Sequence, residues 1–357
     1  METTIDTSSQ TLPFQFHGKT GEYFRIWIVN VLLSILTLGI YSAWAKVRNK
    51  RYFYSNTELD GSTFEYLANP VAILKGRLIA LAVFAIYIIT TWFAPLTEPA
   101  FLIAFFAALP WLIVRAITFN ARNSAFRNIH FDFSSNYRQA AKIYIGIPLL
   151  VILTLGLAYP YFAYRHRDFI VDNSGFGTSG FDFDARAKQF YLIYIKAFAG
   201  LILLGLLIFV IMPSLMPVAQ SAVQVPVETM PAPTPQMILT IMLPLLVIIP
   251  VYMLIGTYIY TATLNTVFNH AFTGQQRFSS KLKTGKMFWI YLSNFVVVLL
   301  TVGLLIPWAK IRIARYRLEN LALETEGSLD GFIAGEQERV KATGEEFAEV
   351  FDVDLGL

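Results

Sequence analysis

Seven long segments of the chain contain no charged residue, and this pattern constrains the fold more than any other feature. A helix that crosses a bilayer needs about 20 predominantly apolar residues, with a range near 17–25. The segments approach or reach that length, so the sequence predicts a polytopic α-helical membrane protein. They are Ile26–Ala45, Leu78–Phe93, Ala100–Val114, Ile143–Tyr164, Ala197–Met212, Met237–Thr261 and Met287–Ala309.

The composition agrees with a lipid environment. Hydrophobic residues make up 55% of the 357 residues, and charged residues make up only 15%, against about 25% in a typical soluble domain. This balance argues against a soluble globular enzyme. The chain has no cysteine, which excludes disulfides, thiolate metal sites and a cysteine nucleophile.

The basic residues flank the apolar segments instead of forming a separate domain. This placement argues against nucleic-acid binding and predicts that the bases face the anionic lipids of the cytoplasmic leaflet. The acids are concentrated at the C-terminus, where residues 326–357 carry nine acids and two bases. We interpret residues 335–357 as an acidic cytoplasmic tail, either loose or folded back on the bases at 46–51 or 312–317. No protein partner is indicated.

An internal repeat divides the chain. Thr37, Gly39, Trp44 and Lys46 recur 264 residues later as Thr301, Gly303, Trp308 and Lys310. A diverged middle copy lies 117 residues after the first and keeps Thr154 and Gly156 but not the Trp or the Lys. We therefore predict repeat units at residues 1–119 and 120–265, a truncated unit at 266–334, and the tail at 335–357. Each unit begins with a strand and a central helix, and the first two continue into a membrane hairpin.

The predicted fold is an all-α membrane protein with about seven membrane segments and short cytoplasmic β-strands. Straight spanning is the simpler topology, because some twenty uncharged residues suffice to cross. In the alternative topology, each central segment enters the membrane and returns to the same side. A Thr-x-Gly sequence then breaks the helix, because Gly tolerates a helix stop and Thr can cap the next turn. Gly39, Gly156 and Gly303 are the candidate breaks. The loops at 94–99 and 213–236 lack Lys and Arg, so both are expected on the periplasmic side.

Two Asn–Thr pairs are candidate polar positions within the membrane: Asn30 with Thr37, and Asn294 with Thr301. A buried amide in lipid costs free energy unless it is paired. The pairs therefore indicate either hydrogen bonds between helices or a polar pathway between repeated helices.

Aromatic and basic residues cluster where the first and last central segments end. An interfacial anchor would place the rings at headgroup depth and the bases on anionic lipid, and a dedicated site for an anionic lipid or solute is the alternative. The candidate headgroup residues are Trp44, Lys46, Arg48, Arg51, Trp308, Lys310, Arg312 and Arg315.

The sequence contains no motif that indicates an enzymatic reaction. The GxGxxG match at Gly175–Gly180 lacks the acid about 20 residues on that a dinucleotide site needs, and it is better explained as a turn. The four His are scattered without metal-ligand spacing. We therefore predict no catalytic residue, no cofactor, no metal and no enzymatic activity.

The run from Thr37 to Tyr52, followed by Asn56, Phe64 and Tyr66, resembles the YjgN family of bacterial inner-membrane proteins. The resemblance implies a multi-pass protein of the bacterial inner membrane, whose domain has no known function. It carries over no catalytic or ligand residue. The repeat and the intramembrane Asn and Thr favour a small-solute transporter or channel, and the aromatic-basic clusters favour a membrane-organising or anionic-lipid-binding protein.

Overall fold

The computed structural model describes residues 9–223 and 235–354, with side chains at 10–210, 242 and 246–341. The helices are α1 (Thr20–Leu36), α2 (Ser42–Ser55), α3 (Pro70–Phe93), α4 (Glu98–Arg122), α5 (Tyr137–Ala141), α6 (Ile147–Leu153), α7 (Tyr159–Asp172), α8 (Ala187–Val223), α9 (Pro235–Asn269), α10 (Thr284–Leu300), α11 (Ile306–Leu318) and α12 (Leu329–Asp354). A π-helical turn, Lys142–Gly146, joins α5 to α6.

The strands are short. They are β1 (Ser9–Phe16), β2 (Thr57–Leu59), β3 (Ser62–Tyr66), β4 (Ser124–Phe126), β5 (Ile129–Phe133), β6 (Ser174–Phe176), β7 (Ser179–Gly180), β8 (Asp182–Phe183), β9 (Ala271–Thr273), β10 (Gln276–Ser280) and β11 (Leu321–Glu326).

Within the described residues, these eleven strands form one antiparallel sheet in the order β7-β6-β5-β4-β3-β2-β1-β11-β10-β9-β8. The two outermost strands, β7 and β8, are separated along the chain only by Phe181, so the sheet almost closes into a barrel. The N- and C-terminal strands meet inside it, because β1 pairs with β11 from Ser9–Glu326 to Pro13–Ala322. The expectation of an all-α membrane protein with short cytoplasmic β-strands is therefore wrong, because the strands form one eleven-stranded, nearly closed sheet. Strands from distant parts of the chain satisfy one another's backbone groups, which isolated strands could not do.

Helical hairpins alternate with β-hairpins around this barrel. In the described residues, five helical hairpins leave the sheet. Four of them return to it at an Asn directly followed by a strand, and each of these Asn side chains donates to the carbonyl four residues earlier; they are Asn56, Asn123, Asn173 and Asn320. In the remaining hairpin His270 takes this position, and its Nδ1 lies 2.9 Å from the carbonyl oxygen of Thr266, again four residues earlier. The helices contact one another in chain order, and α11 contacts α1, so they form a closed ring above the barrel.

The expectation of seven membrane segments is also wrong. Among the described residues, four helical stretches are long and apolar enough to cross a membrane: Pro70–Phe93, Pro95–Arg122, Ala187–Val210 and Leu246–Asn269. The three central segments instead fold back on themselves. Lys19, before α1, donates its backbone N–H to the Tyr52 hydroxyl near the end of α2 at 2.8 Å, and Lys283 does the same to Tyr316 at 3.0 Å.

The three folded-back segments share one turn, built on Thr-x-Gly. Gly39, Gly156 and Gly303 have φ values of +90°, +92° and +86°, where an L side chain is strained. In the first turn, the Thr37 hydroxyl donates to the carbonyl of Leu33 and accepts from the N–H of Tyr41. Thr154 and Thr301 make the same two bonds, so a single hydroxyl ends one helix and caps the next.

The barrel interior forms the largest apolar core. Phe14, Phe126 and Phe176 from the strands pack there with Leu329 and Ile333 from α12. Helix α12 therefore covers the end of the barrel where the β-hairpin turns lie. It runs without interruption past residue 335, and its described side chains contact these turns, not residues 46–51 or 312–317.

Candidate functional site

A cavity of about 760 Å³ lies along the axis of the barrel. Strand periodicity explains its apolar wall, because residues two apart in a strand point to the same face. Phe14 and Phe16 share one face of β1: Phe14 lines the cavity, and Phe16, at the end of the strand next to the helices, packs with Tyr23 and Tyr52. The inward-facing aromatic residues that line the cavity are Phe14, Phe64, Phe126, Phe131, Phe176, Phe181 and Phe278.

Neighbouring rings of this wall are in contact. The centroid of the Phe64 ring lies 6.0 Å from that of Phe14 and 4.6 Å from that of Phe126, and the centroids of Phe176 and Phe131 lie 5.1 Å apart. Such pairs add about 0.5–1.5 kcal/mol each beyond the area they bury. The wall is therefore a packed aromatic layer from several strands, and the cavity inside it is a feature of the fold.

Helix α12 closes the cavity at the turn end of the barrel. Leu329, Phe332 and Ile333 line the cavity there, and Glu336 is fully buried. Its carboxylate accepts from the N–H of Thr178 at 2.8 Å and from the hydroxyls of Thr178 at 2.9 Å and Ser179 at 2.5 Å. Burial alone would raise the pKa of Glu336, but the hydrogen bonds from Ser179 and Thr178 outweigh it and lower the pKa.

A second contact joins α12 to the barrel through Arg127, in the turn between β4 and β5. The guanidinium forms ion pairs with Asp60 at 2.8 Å and with Asp330 of α12 at 2.5 Å. Gln337 donates to the Arg127 carbonyl at 3.3 Å. The β-hairpin turns at residues 127 and 178 therefore hold the cap directly, and Asp60 in the preceding turn binds Arg127.

The opposite, helical end of the cavity carries cations and amides. Asn120 of α4 lines it and accepts from the Lys50 ammonium of α2 at 2.6 Å. The same ammonium lies 4.6 Å from the centre of the Tyr66 ring. Burial first, and then the charge of Lys46, lower the pKa of Lys50. Arg317 of α11 also lines this end, with its guanidinium 5.6 Å from the Tyr260 ring.

The predicted polar pairs lie in the first and last short hairpins, where each Asn joins the two helices. Asn30 donates to the Asn49 side chain at 3.1 Å, and its buried Oδ1 has no partner among the described residues. Asn294 donates to the Ala309 carbonyl at 3.3 Å and accepts from Arg312 at 3.1 Å. Thr37 and Thr301 cap the turns described above, so neither Asn–Thr pair lines the central cavity.

The predicted headgroup residues divide into two groups. Arg51 donates to the carbonyls of Tyr66 and Ala68, Arg315 to that of Gly18, and Arg312 to Ser293 and Asn294. These three guanidinium groups are therefore hydrogen-bonded within the protein, although Arg51 and Arg315 are also exposed to the surface. The Trp308 ring lies 5.2 Å from the Arg312 guanidinium, and the Trp44 ring lies 6.2 Å from that of Tyr41. Lys46, Arg48 and Lys310 are exposed and form no hydrogen bond or ion pair with any residue the structure describes.

A second crevice, of about 540 Å³, lies between α9 and α10. Asn294 lines it together with Thr257, Tyr260 and Tyr291. Elsewhere in the described chain, no group of three or more His, Asp or Glu side chains could hold a metal ion.

The central cavity, the Glu336 contact, the cavity-lining Arg317 and the bond of Lys50 to the cavity-lining Asn120 were missed at the sequence level. The Phe-x-Phe strands were visible, and so was the fourfold recurrence of Asn directly before a strand. What the sequence did not show was that these strands enclose a single space.

Comparison with known proteins gives a family without an assigned function. The family model "Bacterial protein of unknown function (DUF898)" matches residues 11–350. The inner membrane protein YjgN of Salmonella typhimurium is 33% identical over 154 residues, which are 42% of this chain and 38% of that protein. YjgN of Escherichia coli is 28% identical over 147 residues, 41% of this chain and 37% of that protein. These alignments thus span less than half of each relative, and no solved structure matches the chain.

Proposed function

The chain belongs to the DUF898 family, that of the YjgN inner membrane proteins, and from this premise we propose that it is a multi-pass inner-membrane protein that binds a membrane lipid. An acyl chain of the lipid occupies the cavity of the barrel. The observation that carries this proposal is the phenylalanine-lined cavity, which α12 closes at one end and the ring of helices surrounds at the other.

The chemistry of the wall favours an aliphatic ligand. The volume falls within the range of about 300–1,000 Å³ that is common for small-molecule sites. A polar solute would lose its hydrogen bonds to water against aromatic rings, which is costly. An acyl chain that moves from the bilayer into this cavity keeps an apolar environment and gains packing contacts.

The ring of helices offers the lipid a route that avoids water. No residue of α3 is buried, so this helix presents apolar side chains on all its faces. The tips of the short hairpins are also apolar and exposed, with Leu38 at 96% and Val302 at 93%. Such surfaces are stable in hydrocarbon, and a lipid in contact with them can reach the helical end of the cavity.

A pair of substitutions on α4 tests the proposal. Ala121 lines the cavity, whereas Ala116, five residues earlier, is exposed. Ala121→Trp should fill part of the cavity and reduce the amount of lipid that co-purifies with the protein, as measured by mass spectrometry. Ala116→Trp should leave that amount unchanged. Equal lipid content in both variants and the unmodified protein would contradict the proposal.

A small-solute transporter is the second candidate, and the crevice between α9 and α10 favours it. Asn294, Thr257, Tyr260 and Tyr291 give this crevice polar groups beside membrane helices. Uptake of a panel of small solutes into proteoliposomes tests this function, with Asn294→Ala and Asn30→Ala as variants. Uptake that Asn294→Ala abolishes and Asn30→Ala preserves would favour transport through the crevice.

Anionic lipids of the cytoplasmic leaflet are the proposed partners on the outer surface. Lys46, Arg48 and Lys310 are exposed next to charge-free hairpin tips and have no intramolecular anion among the described residues. A base near an anionic membrane surface contributes about 1 kcal/mol to binding.

A further inference from the structure

We propose that the ligand of the central cavity is an amphiphile with an anionic head group, which Lys50 and Arg317 bind at the helical end. This inference rests on the proposed lipid-binding function and adds the chemical class and position of the head group. The candidate ligands are fatty-acid carboxylates and lipid phosphates, which share one anionic head on an aliphatic chain.

The first observation is the position of Lys50. Its ammonium is hydrogen-bonded to Asn120 at 2.6 Å, and Asn120 itself lines the cavity. The Tyr66 hydroxyl donates to the same Asn120 oxygen at 3.3 Å. Both neighbours of the ammonium are therefore neutral, and an ammonium has three donors, of which Asn120 takes one.

The second observation is Arg317, which reaches the same end of the cavity from α11. Its guanidinium lies over the Tyr260 ring, 5.6 Å from the ring centroid. Stacking on a ring leaves the edge of the guanidinium available for a planar or phosphate anion, which it can bind through two parallel N–H donors.

The third observation is the lack of a counter-ion. Neither Lys50 nor Arg317 forms an ion pair with a described residue. The carboxylate of Asp132 also lines the cavity, but it is paired with Arg122 at 2.7 Å. A partly buried cation without a nearby anion costs free energy. The anionic head group of a bound amphiphile would remove that cost, while the acyl chain of the amphiphile enters the phenylalanine-lined space.

The test compares four probes on the full chain in nanodiscs of neutral phosphatidylcholine. Hexadecyl phosphate and hexadecanoate carry the anionic head, hexadecanol carries the chain alone, and inorganic phosphate carries the head alone. The Lys50→Gln/Arg317→Gln variant removes both charges and keeps hydrogen-bonding side chains. The Lys281→Gln/Lys341→Gln variant removes the same charge from exposed positions outside the cavity and outside the outer basic clusters, and serves as the control.

The unmodified protein should bind the two anionic amphiphiles more tightly than hexadecanol. Charge-assisted hydrogen bonds of this kind correspond to about a tenfold to hundredfold change in affinity. The Lys50→Gln/Arg317→Gln variant should lose this preference and still bind hexadecanol, and the control should keep it.

An unchanged preference in the Lys50→Gln/Arg317→Gln variant would overturn the inference and leave the proposed function standing. Binding of inorganic phosphate as tight as that of hexadecyl phosphate would assign the cations to a free anion and also overturn it. Failure of the unmodified protein to bind any of the three chain-bearing probes would overturn the proposed function as well.

Discussion

The two ends of the barrel are built in opposite ways. At the turn end, tight β-hairpin turns bring the strands together, and α12 closes the opening through buried apolar residues and the fully buried Glu336. At the helical end, the same strands continue into five helical hairpins, and Asn120 and Arg317 line the cavity, with Lys50 hydrogen-bonded to Asn120. One end is sealed by specific polar contacts, and the other is bordered by helices with exposed apolar faces.

This difference indicates which end of the barrel faces water and which end faces the membrane. Charged and polar contacts such as those of Arg127 suit an aqueous surface, whereas the tips at Leu38, Leu155 and Val302 are more than nine-tenths exposed and apolar. All five hairpins leave the same barrel, so the long and short ones must approach the membrane from one side. We propose that the long hairpins cross it and that the short hairpins end within it, where an apolar tip is stable.

Cysteine labelling gives the largest expected effect, because the outcome is all or none. The chain has no cysteine, so single substitutions are unambiguous. Gln275→Cys in an exposed turn of the barrel and Glu98→Cys at the first residue of α4 should react with an impermeant maleimide from opposite sides of the membrane. Leu38→Cys and Val302→Cys should react from neither side and become reactive in detergent.

Reaction of Leu38→Cys from the side that labels Glu98→Cys would contradict this model and show that the first hairpin crosses the membrane. Glu228→Cys, in the second long hairpin, should behave as Glu98→Cys does; residue 228 lies outside the described residues.

Glu336→Gln should weaken the sealed end. The amide replaces one acceptor oxygen by a donor, which then faces either the N–H and hydroxyl of Thr178 or the Ser179 hydroxyl and the Arg339 guanidinium. Hydrogen bonds to a charged group contribute about 1.5–3 kcal/mol. Faster hydrogen exchange and proteolysis in α12 would measure the loss. Glu338→Gln removes the same charge from an exposed position two residues later and should change neither.

Acidic pH should act on the same contact. The folded pKa of Glu336 is lowered from its ordinary value of 4.5, so its ionised form favours the docked cap. This stabilisation is complete above pH 4.5 and is lost as the pH falls through the lowered pKa. Protection of α12 from proteolysis should therefore decrease below pH 4.5, and a smaller decrease is expected in Glu336→Gln. The same decrease in both proteins would assign the acid effect to another group.

Gly39→Val and Gly303→Val should destabilise the helical end. The positive φ values at these turns disfavour an L side chain by about 1–2 kcal/mol each, and a lower melting temperature in detergent measures the effect. Gly205→Val is the matched control, because Gly205 lies in α8 with ordinary φ and no atom within 4 Å of an added Cβ. Equal melting temperatures in all three variants would show that the turns tolerate the strain.

Local features of both ends were predictable, and their assembly was not. Thr37 and Gly39 contain the turn signal, and the charge-free segments contain the apolar helices. The sequence does not show whether a central segment spans the membrane or folds back, because the two structures differ by one turn in an otherwise uniform apolar segment. Pairing of β1 with β11 depends on strands more than 300 residues apart, and no local pattern selects such partners. Lys50 and Arg317 therefore looked like further members of the outer basic clusters.

The smallest expected effect comes from a comparison of two basic residues at the helical end that occupy equivalent positions of the repeat. Arg48 and Arg312 occupy matching positions, but Arg48 is exposed, whereas Arg312 donates to Ser293 at 2.6 Å and to Asn294 at 3.1 Å. Arg48→Ala should therefore weaken the retention of anionic lipid by about 1 kcal/mol, measured by native mass spectrometry, with no change in melting temperature. Arg312→Ala should leave lipid retention unchanged and lower the melting temperature, because the buried Asn294 oxygen loses its donor. Equal lipid loss in the two variants would show that Arg312 also reaches the membrane surface.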